Sequence, residues 1–130
     1  MARGYTLTTA ALTLEVSPKW LDNVLSHHRV PGIEQSRQGV ARRLTIDGIV
    51  ILALSLLLIQ ELGLPVGRAI DVARIIAIHH GRYDTTRGMS IVFELPRFRS
   101  ELLERLEGAV EVAPIPRRGR PPANKTGRLV

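Results

Sequence analysis

The chain has 130 residues, with 18 Lys and Arg against 12 Asp and Glu and no Cys. This length predicts a single core, and the lack of Cys excludes disulfide bonds, a thiolate nucleophile and Cys-ligated zinc. The longest uncharged apolar run, 48–59, falls short of the roughly 20 residues that span a bilayer. The N-terminus also lacks the apolar region of a secretion signal. We therefore expect a cytoplasmic protein without a membrane span.

The excess positive charge is concentrated in two segments. Residues 114–130 contain five basic residues and no acidic one, so the rest of the chain is nearly neutral. A second basic cluster, opposed only by Glu34, consists of Arg29, Arg37, Arg42 and Arg43. Two basic segments on a neutral body favour a polyanionic partner that is contacted at two places. A solvated loop and a solubilising tail would give the same charge pattern.

Two short helices are predicted near the N-terminus. The first is capped by Thr8 or Thr9 and runs to about Leu14. The second begins at Ser17-Pro18, because Ser is a good N-cap and Pro fits the first helical position, and it runs to about His28. Three apolar residues share one face of this second helix: Leu21, Val24 and Leu25. Two helices joined by a tight turn are a candidate helix-turn-helix.

Residues 29–44 lose the helical periodicity. Their Pro and Gly residues predict a loop or a short two-stranded wing, with its tip near Ser36–Gly39. Thr45 then caps a long helix that is apolar almost all round over 49–62, so this helix requires burial on more than one face. The sequence Leu62-Gly63-Leu64-Pro65 ends it and begins a further helix, which runs to about His80.

The C-terminal third predicts a strand, a helix and a tail. Met89–Leu95 is rich in β-forming residues and follows a polar loop; its predicted inner face consists of Met89, Ile91, Phe93 and Leu95. Pro96 closes this strand, and the last helix, which contains Phe98, Leu102, Leu103 and Leu106, ends near Gly108. From Pro114 onward proline and basic residues replace any core pattern, so we expect a disordered tail. Because a lone strand leaves backbone groups unpaired, we expect Met89–Leu95 to pair with its copy in a homodimer and to help cover helix 49–62.

The order of these elements resembles the winged helix-turn-helix domain of the MerR/excisionase-like superfamily over residues 5–77. The matching motifs are Tyr5-Thr6-Leu7 before Ala10-Ala11, Val16-Ser17-Pro18 with Leu21, Arg29-Val30-Pro31, Gly39, Arg42-Arg43-Leu44-Thr45, and Leu62-Gly63-Leu64-Pro65 with Ala69. Asp22-Asn23 replaces the Tyr-Tyr or Tyr-Glu pair of typical MerR proteins, and no long dimerisation helix or effector domain is evident. The resemblance implies DNA binding, and sensing of a small molecule or a metal is not carried over.

This resemblance predicts a mainly α protein with three parts. Residues 1–80 form the winged helix-turn-helix domain, 81–112 a strand-helix dimerisation element, and 113–130 the basic tail. A helix fits the major groove, where Lys19 and Asn23, one turn apart, can read base edges. Ser17 at the helix N-terminus can take a phosphate. The other candidate DNA contacts are Trp20 and His27 on the helix, and Arg37, Gln38, Arg42 and Arg43 in the wing.

The tail carries a second candidate motif. Arg118-Gly119-Arg120-Pro121, preceded by Arg117, resembles the core of an AT-hook. An extended Gly-Arg-Pro segment can lie in a narrow minor groove, where the negative potential attracts arginine. Gly permits close approach of the backbone, and Pro keeps the chain extended. We expect the tail to add minor-groove contacts.

These features predict a DNA-binding protein of the bacterial nucleoid, either a transcriptional regulator or an architectural protein. No catalytic motif or cofactor site stands out, and the pairs His27-His28 and His79-His80 lack the spacing of a helical metal site. The alternative is a DNA-binding antitoxin or another interaction module, in which helix 49–62 and strand 89–95 hold a partner protein. The tail could also bind RNA, although the chain is only 4% aromatic and RNA modules stack bases on aromatic rings.

Overall fold

The computed structural model describes residues 4–34 and 41–112, and this part of the chain is mainly helical. The helices are α1 (Leu7–Leu14), α2 (Pro18–His27), α3 (Ile46–Leu62), α4 (Val66–Ile78) and α5 (Leu95–Val112). The strands are β1 (Gly4–Tyr5), β2 (Ile33–Glu34), β3 (Arg43–Thr45), β4 (Arg82–Asp84) and β5 (Ser90–Val92). The predicted wing tip at 36–39, with Arg37 and Gln38, lies outside the described residues, and so do the tail and its AT-hook-like motif.

The first two helices begin at capping side chains. The Ser17 hydroxyl oxygen accepts a hydrogen bond from Trp20 N–H at 3.0 Å, and Pro18 occupies the first turn, so the predicted start of α2 is confirmed. The predicted cap of α1 is wrong. Thr6, which is extended as it leaves β1, accepts from the N–H of Thr9 at 3.1 Å, and the helix therefore begins at Leu7, one residue before the earlier of the two predicted caps.

A three-stranded antiparallel sheet joins β2 and β3 to β1 near the N-terminus. β3 is the central strand, with β1 on one side and β2 on the other. Leu44 is fully buried and lies opposite both Tyr5 and Ile33. β1 was not predicted, because two residues are too few to show a strand period. The sheet fixes β2 and β3 close to the start of α3.

Two glycines make the contact between this sheet and α3. Gly32 has φ +89°, and a Cβ built there would lie 2.6 Å from the backbone nitrogen of Gly48. The Thr45 hydroxyl donates to Gly32 O at 2.9 Å and accepts from the N–H of Gly48 at 3.3 Å as the N-cap of α3. The predicted cap at Thr45 is therefore confirmed, and it also joins the turn before β2 to the first turn of α3.

The core is built around α3, which is buried by its own chain. Every residue from Gly48 to Ser55 is buried, and Leu58 is buried one turn later. α4 packs along α3, while α5 lies against α1 and also contacts α3. The single polar side chain in the buried run, Ser55, donates to Ile51 O at 2.7 Å. Within the described ranges, no helix is both long and apolar enough to cross a membrane.

The strand predicted at Met89–Leu95 is present in part as β5, but the prediction that it has no partner strand in its own chain is wrong. β5 pairs antiparallel with β4 of the same chain, with Tyr83 opposite Ile91, and β4 lies in the segment that was predicted to be a polar loop. Ile91, Phe93 and Leu95 pack against the core as the alternation predicts, whereas Met89 is 61% exposed. Since β5 already has a partner, the argument that it pairs with its copy in a homodimer no longer holds.

The last helix also differs from the prediction. α5 begins at Leu95, before Pro96, and continues through Gly108 to Val112. Pro is tolerated in the first turn of a helix, and Ala109 is buried, so packing continues past Gly108. Leu102 and Leu106 are fully buried in the same core as α1 and α3. This helix is therefore part of the main core of the described chain.

Candidate nucleic-acid interface

α2 has one buried side and one exposed side. Leu21 and Val24 are buried in the core, and Trp20 is half-buried against it, so the helix is held rigidly from behind. Lys19 and Asn23 are both exposed, one helical turn apart, on the opposite side. The predicted base-reading pair thus lies on a fixed, solvent-facing surface.

Two further predicted residues of α2 have defined hydrogen bonds. His27 Nδ1 lies 2.8 Å from Asn23 O. Because a carbonyl oxygen only accepts, Nδ1 carries the hydrogen, and Nε2 is the ring nitrogen left for an outside partner. Ser17 uses its oxygen as the N-cap, and its hydroxyl hydrogen can still be donated to a phosphate. Both side chains are exposed.

Arg42 contacts α2 at two points. Its Nη1 forms an ion pair with Asp22 Oδ1, and its Nη2 donates to Ser26 Oγ at 3.0 Å. Ser26 in turn donates to the carbonyl oxygen of Asp22 at 2.9 Å. We call these three residues the Arg42 cluster. The Arg42 side chain is only 15% exposed, against 55% for Asp22, so the predicted wing cation is largely buried while its partner faces solvent.

Four residues that were predicted to contact DNA lie together on α2 with two that were not, Asp22 and Ser26. Asp22 and Ser26 line one shallow depression on α2, about 530 Å³ in volume, together with Ser17, Lys19, Trp20 and Asn23. The wing cation Arg43 lies on the exposed side of β3, with its side chain passing over Gly4. No local pattern could have revealed the Arg42 cluster, because Arg42 lies 16 residues from Ser26 and 20 residues from Asp22 along the chain.

A wider cleft continues from the end of α2 toward the sheet. It measures about 800 Å³ and is lined by residues 25–34 together with Arg42. Arg29 is exposed beside it, and His28 approaches Gly67 at the start of α4. Among the described residues, no group of three His, Asp or Glu side chains could hold a metal ion.

No family model, curated protein or solved structure matches this chain. The resemblance to MerR/excisionase-like proteins stays a prediction from the sequence motifs. Three of those motifs have a physical role of their own in the fold: Ser17 caps α2, Thr45 caps α3, and Gly63 ends α3 with φ 68°. The functional interpretation therefore depends on the surface around α2.

Proposed function

We propose that this protein binds double-stranded DNA by placing α2 in the major groove. The observation that carries the proposal is the exposure of Lys19 and Asn23 on one side of α2 while Leu21 and Val24 anchor the other side in the core. Asn can form two hydrogen bonds with adenine and Lys can donate to guanine. Rigid backing favours specific recognition, because the backbone of the helix does not have to be ordered when the helix docks.

The segment around β2 and β3 would act as the wing of this domain. Arg43 lies on the outer face of β3, and Arg37 and Gln38 belong to the connecting segment outside the described residues. We propose that these side chains contact phosphates beside the groove occupied by α2. Phosphate contacts position a protein on DNA, and base contacts specify the sequence. The protein would then serve as a regulator or an architectural protein of the bacterial nucleoid, without a cofactor or a catalytic step.

The interaction-module alternative has less support. It requires helix 49–62 to be available to a partner protein, whereas α3 is buried from Gly48 to Ser55 by its own chain, chiefly by α4. One edge of strand 89–95 is also occupied, since residues 90–92 pair with β4. DNA binding is therefore the function that the described surface supports best.

Footprinting of the purified protein on genomic fragments tests the proposal. We expect discrete protected sites and an affinity that falls as salt rises, because phosphate contacts release counterions. A homodimer, which remains our proposal for the assembly, would protect two half-sites about one helical turn apart. Light scattering would then give about twice the 14.4 kDa of one chain. Absence of both protection and salt-dependent binding would contradict DNA binding.

The tail provides a separate prediction. In the full-length protein, replacing Arg117, Arg118 and Arg120 with Gln should weaken binding to AT-rich DNA most. The slope of log affinity against log salt should become shallower by about 0.9 for each phosphate that an arginine no longer neutralises. Core stability should not change, because the substitutions lie outside the core pattern of the sequence. Anisotropy titrations at several salt concentrations measure the slope, and an unchanged slope would show that these arginines do not touch DNA.

A further inference from the structure

We propose that Asp22 determines DNA specificity by holding Arg42 away from the phosphates. This inference rests on the proposed function and names a positioning residue within it. The geometry is the two-point attachment of Arg42, through Nη1 to Asp22 and through Nη2 to Ser26. Two contacts fix the plane of a guanidinium group better than one. As a result, the chain entering β3 is held directly against α2.

Asp22 places a negative charge on the proposed DNA-binding surface, and this charge opposes binding. Asp22 is 55% exposed and lies in the same depression as Lys19 and Asn23, where a DNA phosphate would repel it. Without Asp22, Arg42 would lose the carboxylate that pairs with its charge and could turn toward the phosphates. A free arginine contacts phosphates of any sequence, so it strengthens non-specific binding without adding discrimination. Pairing the two groups removes both the repulsion and the indiscriminate cation.

The cluster also fixes the register between wing and helix. Arg42 directly precedes β3, and Leu44 of that strand is fully buried, so residues 42–44 are attached to α2 at one end and to the core at the other. Selective binding requires α2 and the wing to reach their targets together. Loss of the pair should therefore lower selectivity in two ways, through tighter non-specific binding and through a looser wing.

Four variants test this role in the full-length protein, with an unrelated duplex and the footprinted site as probes. Asp22→Asn should tighten binding to the unrelated duplex roughly three- to tenfold and steepen its salt slope by about 0.9, the effect of neutralising one more phosphate. Ser26→Ala, which keeps all charges, should shift selectivity in the same direction by less. Arg42→Gln should weaken binding to both duplexes, because Asp22 is then unpaired. The exchange Asp22→Arg/Arg42→Asp should restore selectivity relative to Asp22→Asn.

Asp71→Asn is the matched control. Asp71 and Arg74 form an exposed pair on α4 with a separation of 3.8 Å, and the substitution makes the same change in net charge outside α2. If Asp22→Asn and Asp71→Asn change the unrelated-duplex affinity and slope equally, Asp22 acts only through net charge and the inference is wrong. If Asp22→Asn binds the footprinted site more weakly but binds the unrelated duplex as the wild type does, the inference is also wrong. Asp22 would then contact a base. A wild-type protein that binds no DNA would instead overturn the proposed function, and this inference with it.

Discussion

Lys19→Ala/Asn23→Ala should bind the footprinted site no more tightly than unrelated DNA. Each good contact to a base edge contributes about 1–3 kcal/mol of discrimination, so the pair is expected to carry about 2–6 kcal/mol. Stability should be unchanged or slightly higher, since both side chains are exposed and Ala favours a helix. Competition titrations of the site against an unrelated duplex measure the loss directly.

Gln60→Ala/Arg87→Ala is the control for this double variant. It also removes one amide and one cationic side chain from exposed positions, but from the end of α3 and from the β4–β5 connection. It should keep full selectivity. If the Lys19 and Asn23 variant stays selective as well, then another element reads the bases, and α2 is not the recognition helix.

The starts of α2 and α3 were predictable because their causes are local. Ser17-Pro18 and Thr45 act within one turn of the helices that they cap, and Gly63 ends α3 within the same short range. The amphipathic division of α2 follows from the spacing of its apolar residues in the same way. These local features are enough to place Lys19 and Asn23 on the exposed side of the helix.

The remaining features depend on contacts between distant residues. β4 is only three residues long and lies between polar residues, so the sequence of 81–88 predicts a loop. The strand is evident only from its pairing with β5. That pairing overturned the reasoning for a strand-paired homodimer. In the candidate site, Arg42 was predicted to contact DNA from the wing, and its ion pair with Asp22 depends on the way the chain returns to α2 along β3.

The second large expected effect concerns the contact between Gly32 and Gly48. Gly32→Ala should lower the free energy of unfolding by about 2–5 kcal/mol, the sum of two costs. A side chain at φ +89° is strained, and the added Cβ would also lie 2.6 Å from both Gly48 N and the Thr45 hydroxyl oxygen. The backbone atom cannot move without displacing the first turn of α3. Chemical denaturation monitored by circular dichroism gives the value.

Gly88→Ala separates the two costs, because Gly88 has the same φ of +89° but nothing within 4 Å of an added Cβ. It should lose only the conformational part, about 1–2 kcal/mol. The difference between the two variants then measures how tightly the turn before β2 is packed on α3. Equal losses would mean that this turn shifts freely away from α3. In that case the close approach of Gly32 to Gly48 would add nothing to the stability of the fold beyond the conformational preference of Gly32.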